Sequence, residues 1–338
     1  MTQVGQAQSS RKIASKQHNK FLAEPTNHQS TRVAPSSLLQ PLKDEVQNQI
    51  ELRHYQLAAL LREHIGEPFF SDTGFILYKG DSLELLGRLG SELQSELTVT
   101  SPPYNIGKEY EHSMPIEDYV RWCSQWMSLL YQSTASQGSF WLNVGYLEVP
   151  GKGLSVPIPY LLWDQSPFYL LQEIVWTYGA GVSARKRLSP RNEKWLFYAK
   201  DHQHYVFNLD DIRDPNVKYP NQKKNGKFRC NPLGKNPSDV WDFPKVTTGK
   251  HRSSKERTGH PAQFPLSVLE RIVKVSSNNS DLVFDPFAGS CSAGIAASGL
   301  GRRFLGFEAR EDYCRLAIRR FKQFIIERQA ARAQVPLF

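Results

Sequence analysis

The chain has 338 residues, with 42 Lys and Arg against 33 Asp and Glu and a formal charge of +9. Its 40% apolar content allows a sizeable core, but no apolar run reaches the roughly 18 residues of a membrane-spanning helix, nor does the polar N-terminus carry the apolar core of a secretory signal. Four scattered cysteines (Cys123, Cys230, Cys291 and Cys314) form no C-x-x-C pair, which disfavours a disulfide framework or cysteine zinc site and fits a reducing cytoplasm.

Residues 1–48 are rich in Gln, Ser, Thr, Asn and Lys and keep no period. Such a stretch buries too little surface to offset its ordering entropy, and a mostly disordered arm is expected. From residue 51 to 65, Leu52, Tyr55, Leu57, Ala59, Leu60 and Leu61 recur at near-helical spacing, and Gly66 and Pro68 close the pattern. That predicts a helix lying on the main domain. Short runs rich in β-branched and aromatic residues follow at 75–79, 97–101, 139–144, 171–178, 195–199, 282–285 and 304–308. Several are hydrophobic almost throughout, as in strands buried on both faces. Amphipathic stretches at 119–131, 266–275 and 311–328 lie between or after them. Strands interleaved with helices predict an α/β doubly wound sheet. The last stretch keeps Tyr313, Leu316, Ala317, Phe321, Phe324 and Ile325 to one side, a core-packing helix and not a membrane anchor.

Residues 201–258 break the alternation. They abound in Asn, Asp, Pro, Gly and Lys, and an irregular segment of that length is either functional or disordered. Residues 185–258 hold 18 Lys and Arg against 8 Asp and Glu, a net +10, so the rest of the chain sums to about −1. Trp195, Tyr198, Tyr205, Phe207, Tyr219, Phe228 and Trp241 are interleaved with these charges. Two readings stand: a solvated basic loop, or a module that contacts nucleic acid.

Two motifs carry chemistry. The first is Thr100-Ser101-Pro102-Pro103-Tyr104-Asn105, directly after a predicted strand. Two successive prolines fix φ and donate no N–H, which makes a stiff extended turn. Carbonyl oxygens and the Ser101 hydroxyl then face the crevice where open α/β sheets bind ligands, and Tyr104 can offer a flat face to a planar substrate. Taken alone, the segment is equally an ordinary Pro-Pro loop with a packed tyrosine.

The second motif runs from Asp285 through Pro286, Phe287, Ala288, Gly289, Ser290, Cys291, Ser292 and Ala293 to Gly294. A strand, a small-residue turn and a helix over about 291–298 put free N–H groups and a positive dipole end beside a ligand, and Gly289 permits close backbone approach. Glu308 ends the next strand, 23 residues beyond Asp285. That is near the spacing at which an acidic residue meets a ribose diol in nucleoside-binding folds. A nicotinamide dinucleotide is excluded. Its nearest glycine pattern, from Gly299 to Phe304, lacks the third glycine and follows a helix instead of a strand.

Together the two motifs resemble the amino-methyltransferases that modify exocyclic amines of DNA with S-adenosylmethionine. The resemblance covers residues 76–324. There a D/N/S-P-P-Y/F tetrad is catalytic and F-x-G-x-G binds the cofactor; here the tetrad Ser101–Tyr104 comes first, the permuted order of the β class. Gly80-Asp81 is similar to the pair whose acid addresses the cofactor's adenine, and 258–265 to the segment that closes over the cofactor. Cys291 replaces the family's second glycine, as a small space-filler more readily than a reactive thiol.

The resemblance implies a seven-stranded methyltransferase domain of Rossmann-like fold, circularly permuted. Its catalytic half spans 49–200, a target-recognition region 201–258 and the cofactor-binding half 259–330. It implies Ser101, Pro102, Pro103 and Tyr104 as the catalytic set: Ser101 Oγ and the Pro102 carbonyl accept the amine's protons while Tyr104 stacks on the base. The implied cofactor set is Asp81, Thr100, His260, Asp285, Pro286, Phe287, Gly289, Ser290, Cys291 and Glu308. Asp285 is open to a capping role and His260 to a structural one. A serine at the head of the tetrad favours cytosine N4 over adenine N6 as the target.

The implied partner is double-stranded DNA, with the target nucleotide extruded from the duplex. A cognate restriction endonuclease is implied as a functional partner only, in a prokaryotic cytoplasm at the nucleoid. A DNA-binding protein on an inactive methyltransferase fold is the reading from another class. Residues 105–115, with Gly107, Lys108 and His112, are read as a mobile lid. No metal is expected, because His202, His204, His251 and His260 lack partners at zinc-ligand spacing, which also disfavours a zinc deaminase.

Overall fold

The computed structural model describes residues 36–333 apart from 109, 110, 112, 180, 182 and 247–255. By compactness the chain divides into Met1–Pro41 and Leu42–Phe338. Of the first unit only the opening of one helix is described; the sheet and all the other helices belong to the second.

In chain order the elements are α1 (Ser36–Ile65), β1 (Phe70–Asp72), β2 (Phe75–Lys79), α2 (Ser82–Leu89), β3 (Ser95–Thr100), α3 (Ile116–Gln132), β4 (Thr134–Val144), β5 (Tyr146–Val149) and β6 (Gly153–Pro157). There follow α4 (Pro159–Leu162), β7 (Tyr169–Thr177), β8 (Asn192–Ala199), β9 (Lys223–Lys224), β10 (Lys227–Phe228), β11 (Val240–Asp242), α5 (Leu266–Ser276), β12 (Leu282–Asp285), α6 (Ser292–Gly299), β13 (Arg303–Glu308) and α7 (Glu311–Ala333). All seven predicted strands are present, with ends shifted by up to five residues. The predicted helix at 51–65 is the end of α1, which begins at Ser36, inside the segment expected to be irregular. The arm's remaining residues, 1–35, lie outside the described residues.

One nine-stranded sheet has the order β1-β2-β13-β12-β3-β4-β8-β7-β11. β2, β13, β12, β3 and β4 run parallel, and β8 is antiparallel to both β4 and β7. The apolar runs explain this placement. Every residue of β12 and of β13 is buried, as a strand covered on both faces requires.

Alternate residues feed two cores. Leu282, Phe284, Leu305 and Phe307 meet α1, α2 and α3 on one face, whereas Val283 and Phe304 meet α5, α6 and α7 on the other. α5 buries Val268, Leu269, Ile272 and Val273, each worth about 1.5–3 kcal/mol when fully removed from water. Helix boundaries follow local chemistry too. The Asp81 carboxylate caps α2 by accepting the Glu84 N–H at 3.0 Å, and α3 and α5 each start directly after a proline.

Residues 201–258 are less irregular than their composition suggests. Lys223–Lys224 and Lys227–Phe228 form a hairpin turned by Asn225 and Gly226, both at positive φ, and Val240–Asp242 joins the main sheet parallel to β7. Both sheet edges, β1 and β11, are three residues long. No helix among the described residues is long and apolar enough to cross a membrane.

What this topology does for function is simple. Beyond β12 the chain crosses to β13, and beyond β3 it crosses to β4 on the opposite side. Neighbouring strands whose connections diverge leave a crevice at their carboxyl ends. Both chemical motifs begin there, after Thr100 and after Asp285.

Candidate active site

A cavity of about 820 Å³ opens at this edge. Ser101, Pro102, Pro103, Tyr104, Asp81, His260, Asp285, Pro286, Phe287, Gly289, Ser290 and Glu308 all line it. Thr100 and Cys291, also implied as cofactor contacts, are not among the lining residues. Thr100 is the inward-facing last residue of a buried strand, and its hydroxyl donates to Asp285 Oδ1 at 2.6 Å. Cys291 is fully buried behind the turn at φ +52, the left-handed conformation that explains a glycine at this position in the family pattern.

The catalytic turn is held by a relay. Ser101 Oγ donates to the Tyr104 hydroxyl at 3.1 Å, and that hydroxyl donates to Asn143 Oδ1 at 2.6 Å. Asn143 Nδ2 in turn donates to the Lys194 carbonyl at 3.1 Å, which fixes the orientation of the amide. With its hydrogen committed, Ser101 Oγ has lone pairs left to accept from a substrate N–H. The Tyr104 ring lies against Gly145, where a Cβ would come within 3.1 Å of ring atom Cε2. Beyond the tetrad, Glu111 accepts the backbone N–H groups of Asn105 at 2.9 Å, Ile106 at 2.8 Å and Lys108 at 2.9 Å. Asn105 also exchanges two 2.8 Å bonds with the Met114 backbone. His112 of the expected lid lies outside the described residues.

The glycine turn is held from both sides. Glu308 accepts the Gly289 N–H at 2.8 Å through one oxygen and the Arg310 N–H at 2.8 Å through the other. Gly289 has φ +50, and a Cβ there would lie 2.8 Å from His260 Nε2. The His260 ring itself packs edge-on against Tyr313 at 4.4 Å between centroids. From α7, Arg320 donates to the Ser290 carbonyl at 3.0 Å and to Ser292 Oγ at 2.6 Å. The Ser82 hydroxyl donates to the Pro286 carbonyl.

Burial sets the protonation of this half. It raises the Asp285 carboxyl to about 7, against hydrogen bonds from Thr100 and Phe287. It also raises Glu308, against the two backbone donors. Burial, then the Arg320 and Arg310 charges, depress His260 to about 4, so its ring is neutral near pH 7. Two carboxyl groups held back from ionising beside one cavity are relieved by a cation. S-adenosylmethionine, with its sulfonium and ammonium charges, fits that requirement, and the left-handed glycine leaves its approach open.

Sequence reasoning missed Asn143, Gly145, Ser82, Arg310, Tyr313 and Arg320. Asn143 carried a signal: a polar residue interrupting the apolar run from Phe140 to Val144, two residues before a glycine. Of the sequence-level histidines, His202 stacks on Tyr169 and His204 pairs with Asp201, while His251 lies outside the described residues. No cluster of three His, Cys, Asp or Glu able to hold a metal occurs among the described residues.

A mostly parallel sheet in which only β1 and β8 run against the rest, a glycine turn at its switch point and a Pro-Pro-Tyr turn beside it defines a methyltransferase of the α/β type. The profile of the DNA methylase family N6_N4_Mtase matches residues 95–319, two thirds of the chain, and the protein belongs to that family, with its motifs in β-class order. The family's methyl donor is S-adenosylmethionine.

Among relatives, the Type II methyltransferase M.ScaI of Streptomyces caespitosus is 56% identical over 78% of this chain and 86% of its own. The Type II methyltransferase M.BglII of Bacillus subtilis is 33% identical over 76% and 71%. The DNA adenine methyltransferase YhdJ of Escherichia coli K12 is 31% identical over 74% and 84%. Among solved structures, the PvuII cytosine-N4-specific DNA methyltransferase superposes with a TM-score of 0.59 at 20% identity, covering 75% of this chain and 88% of that one. That likeness is one of fold.

Proposed function

We propose that the protein methylates the exocyclic N4 amine of cytosine in duplex DNA, as the modification enzyme of a restriction-modification system. The observation that carries the choice of base is Ser101 at the head of the tetrad, its hydroxyl oriented by Tyr104 and Asn143 to accept a proton. The cytosine amine is a weak nucleophile, because its lone pair is delocalised into the ring. Ser101 Oγ and the Pro102 carbonyl accept its two N–H groups and draw the nitrogen towards a pyramidal form, which localises the pair. Tyr104 stacks on the ring. Held in line, the reactants meet as in a unimolecular step. When bound, the cofactor would supply an electrophilic methyl group; Ser101 Oγ and the Pro102 carbonyl hold the amine's hydrogens, and the proton lost from the methylated amine leaves to water.

Asp285, Glu308, the Gly289–Ser290 backbone, Phe287 and Asp81 hold the cofactor, Thr100 acts through Asp285, and the 258–265 segment closes over the site with His260. The basic segment 201–258 recognises the DNA site. Its exposed Lys223, Lys224 and Lys227 flank an Asn-Gly hairpin turn, and the Tyr219 and Phe228 rings beside them are exposed. Lysines there contact phosphates, and polar side chains read base edges.

Adenine N6 is the second reading, favoured by the 31% identity to a DNA adenine methyltransferase. Incubation with unmodified DNA and cofactor, digestion to nucleosides and co-elution with authentic standards decide between them. N4-methylcytosine supports the proposal and N6-methyladenine refutes it.

A further inference from the structure

The cavity has a second wall that the catalytic and cofactor sets leave unused. It is built where β7 ends, β8 begins and the chain leaves β11. The register puts Trp176 beside Glu193 and Thr177 beside Asn192. Asp242 of β11 pairs with Thr177, so the basic segment delivers Lys245 to the same place. There Lys245 Nζ donates to Glu193 Oε1, 4.0 Å from the centre of the Tyr178 ring and 5.5 Å from that of Trp176. The Tyr178 hydroxyl donates to the same carboxylate oxygen at 3.4 Å. The two side chains are only 21% and 16% exposed.

Stability does not explain the pair. Taking two charges out of water is costly, and their attraction seldom exceeds that cost by much. Position suggests a reason. A Cβ on Gly145 would lie 3.1 Å from the Tyr104 ring and 3.7 Å from Glu193 Cγ, so the thickness of one absent side chain separates the ion pair from the catalytic tyrosine. Lys245 carries three N–H donors, and among the described residues Glu193 is its one hydrogen-bond acceptor.

We propose that Lys245, held by Glu193, reads the ring edge of the everted base and makes the site selective for cytosine. This rests on the N4-cytosine reading above. On cytosine the amine, N3 and O2 lie in sequence along one edge. With the amine on Ser101 and Pro102, an ammonium further along that edge donates to two neighbouring acceptors, N3 and O2. Adenine presents N1 next to its amine but a C–H where cytosine has O2. A partly desolvated cation facing a C–H lacks an acceptor, and that mismatch is what hydrogen-bonding sites reject most strongly. Because Lys245 lies three residues beyond the end of β11, the segment proposed to contact the duplex also carries the group that checks the extruded base.

The test first maps the methylated site on unmodified DNA. It then measures kcat and KM on duplexes carrying cytosine or adenine at the target position, for the wild type, Lys245→Met, Lys245→Arg and Glu193→Gln. Lys245→Met is expected to lower kcat/KM on the cytosine duplex by about 30-fold or more and to narrow the cytosine-to-adenine ratio by at least about tenfold, with cofactor affinity unchanged. Lys245→Arg, which keeps the cation, recovers much of the loss. Glu193→Gln moves the ratio the same way by less, and speaks for the wall if Lys245→Met fails to fold.

An unchanged ratio in the folded variants overturns the inference, as does a loss confined to cofactor binding or thermal stability. A wild-type product of N6-methyladenine brings down both this inference and the reading it rests on. A cytosine product with an indifferent Lys245→Met brings down this inference alone.

Discussion

The glycine turn and the basic insert both contribute to one cavity, yet they are built by opposite means. The turn at 285–292 is made largely of backbone: short side chains apart from Phe287, one left-handed glycine and one left-handed cysteine, with the Asp285 and Glu308 carboxylates receiving N–H groups. Almost nothing in it is exposed. The insert beyond β8 shows its side chains instead, with Tyr219 and Phe228 more than half exposed and each covered by a neighbouring lysine ammonium. A cofactor of constant shape suits a site defined by φ angles and close packing. A polyanion read at varying sequence suits lysines and rings that can be exchanged without disturbing a core. The two regions should therefore fail differently when altered.

Substitution of Gly289 should weaken cofactor binding more than any change in the insert, because two costs coincide there. An alanine at φ +50 costs about 1–2 kcal/mol, and its Cβ meets His260 Nε2 at 2.8 Å. Gly289→Ala is expected to weaken cofactor affinity at least about tenfold by calorimetry. Adding His260→Ala should recover only the part due to the clash, and full recovery would show that the backbone angle is unimportant.

Asn143→Leu tests the relay on the other side. Without its amide oxygen the Tyr104 hydroxyl loses its acceptor, and Ser101 loses its fixed direction. The kcat for methyl transfer should fall about tenfold with cofactor KM unchanged, a mark of lost positioning. Equal losses in both parameters would place Asn143 in cofactor binding.

Protonation should distinguish the regions next. Asp285 is raised in the folded, ligand-free chain to about 7. Its neutral form stabilises the fold below the unfolded pKa, and that contribution is lost as pH rises towards 7. A cationic ligand reverses the preference and expels the proton, so cofactor affinity should climb between about pH 5.5 and 7.5 by at most about tenfold per unit. His260, at about 4, does not titrate in this window. Asp285→Asn should flatten the profile, and a pH-independent affinity in the wild type would remove the carboxyl from the cofactor's charge.

The smallest change per residue belongs to the insert. Replacing Lys223, Lys224 and Lys227 by Gln should leave cofactor binding untouched and reduce the slope of log K against log salt for DNA by about 0.9 for each phosphate no longer neutralised. An unchanged slope would mean that the hairpin stands away from DNA.

The same contrast governs what could be read from the sequence. The seven strands and both motifs were legible because burial on two faces forces near-continuous apolar runs, and because rigid turns need proline or glycine at stated places. The short edge strands β1 and β11 were not, since three residues carry no period and only pairing with β2 and β7 defines them. The helix start at Ser36 was hidden in polar composition. The Asn143–Gly145 pair, Glu193 and Lys245 are drawn from three separate stretches of the chain, and the topology that gathers them leaves no fixed spacing between those stretches. Cys291 stood out as a departure from the family pattern, but only its left-handed φ and full burial explain why it sits behind the wall.

The most direct test is a single-turnover measurement on preassembled enzyme, cofactor and cognate duplex, comparing the wild type with Ser101→Ala. The hydroxyl oxygen is assigned to the amine proton, so the rate of methyl transfer should fall by about 10²-fold or more while both ligands bind as before. A rate within about threefold of the wild type, with binding intact, would contradict the role of the Ser101–Tyr104 turn in accepting that proton.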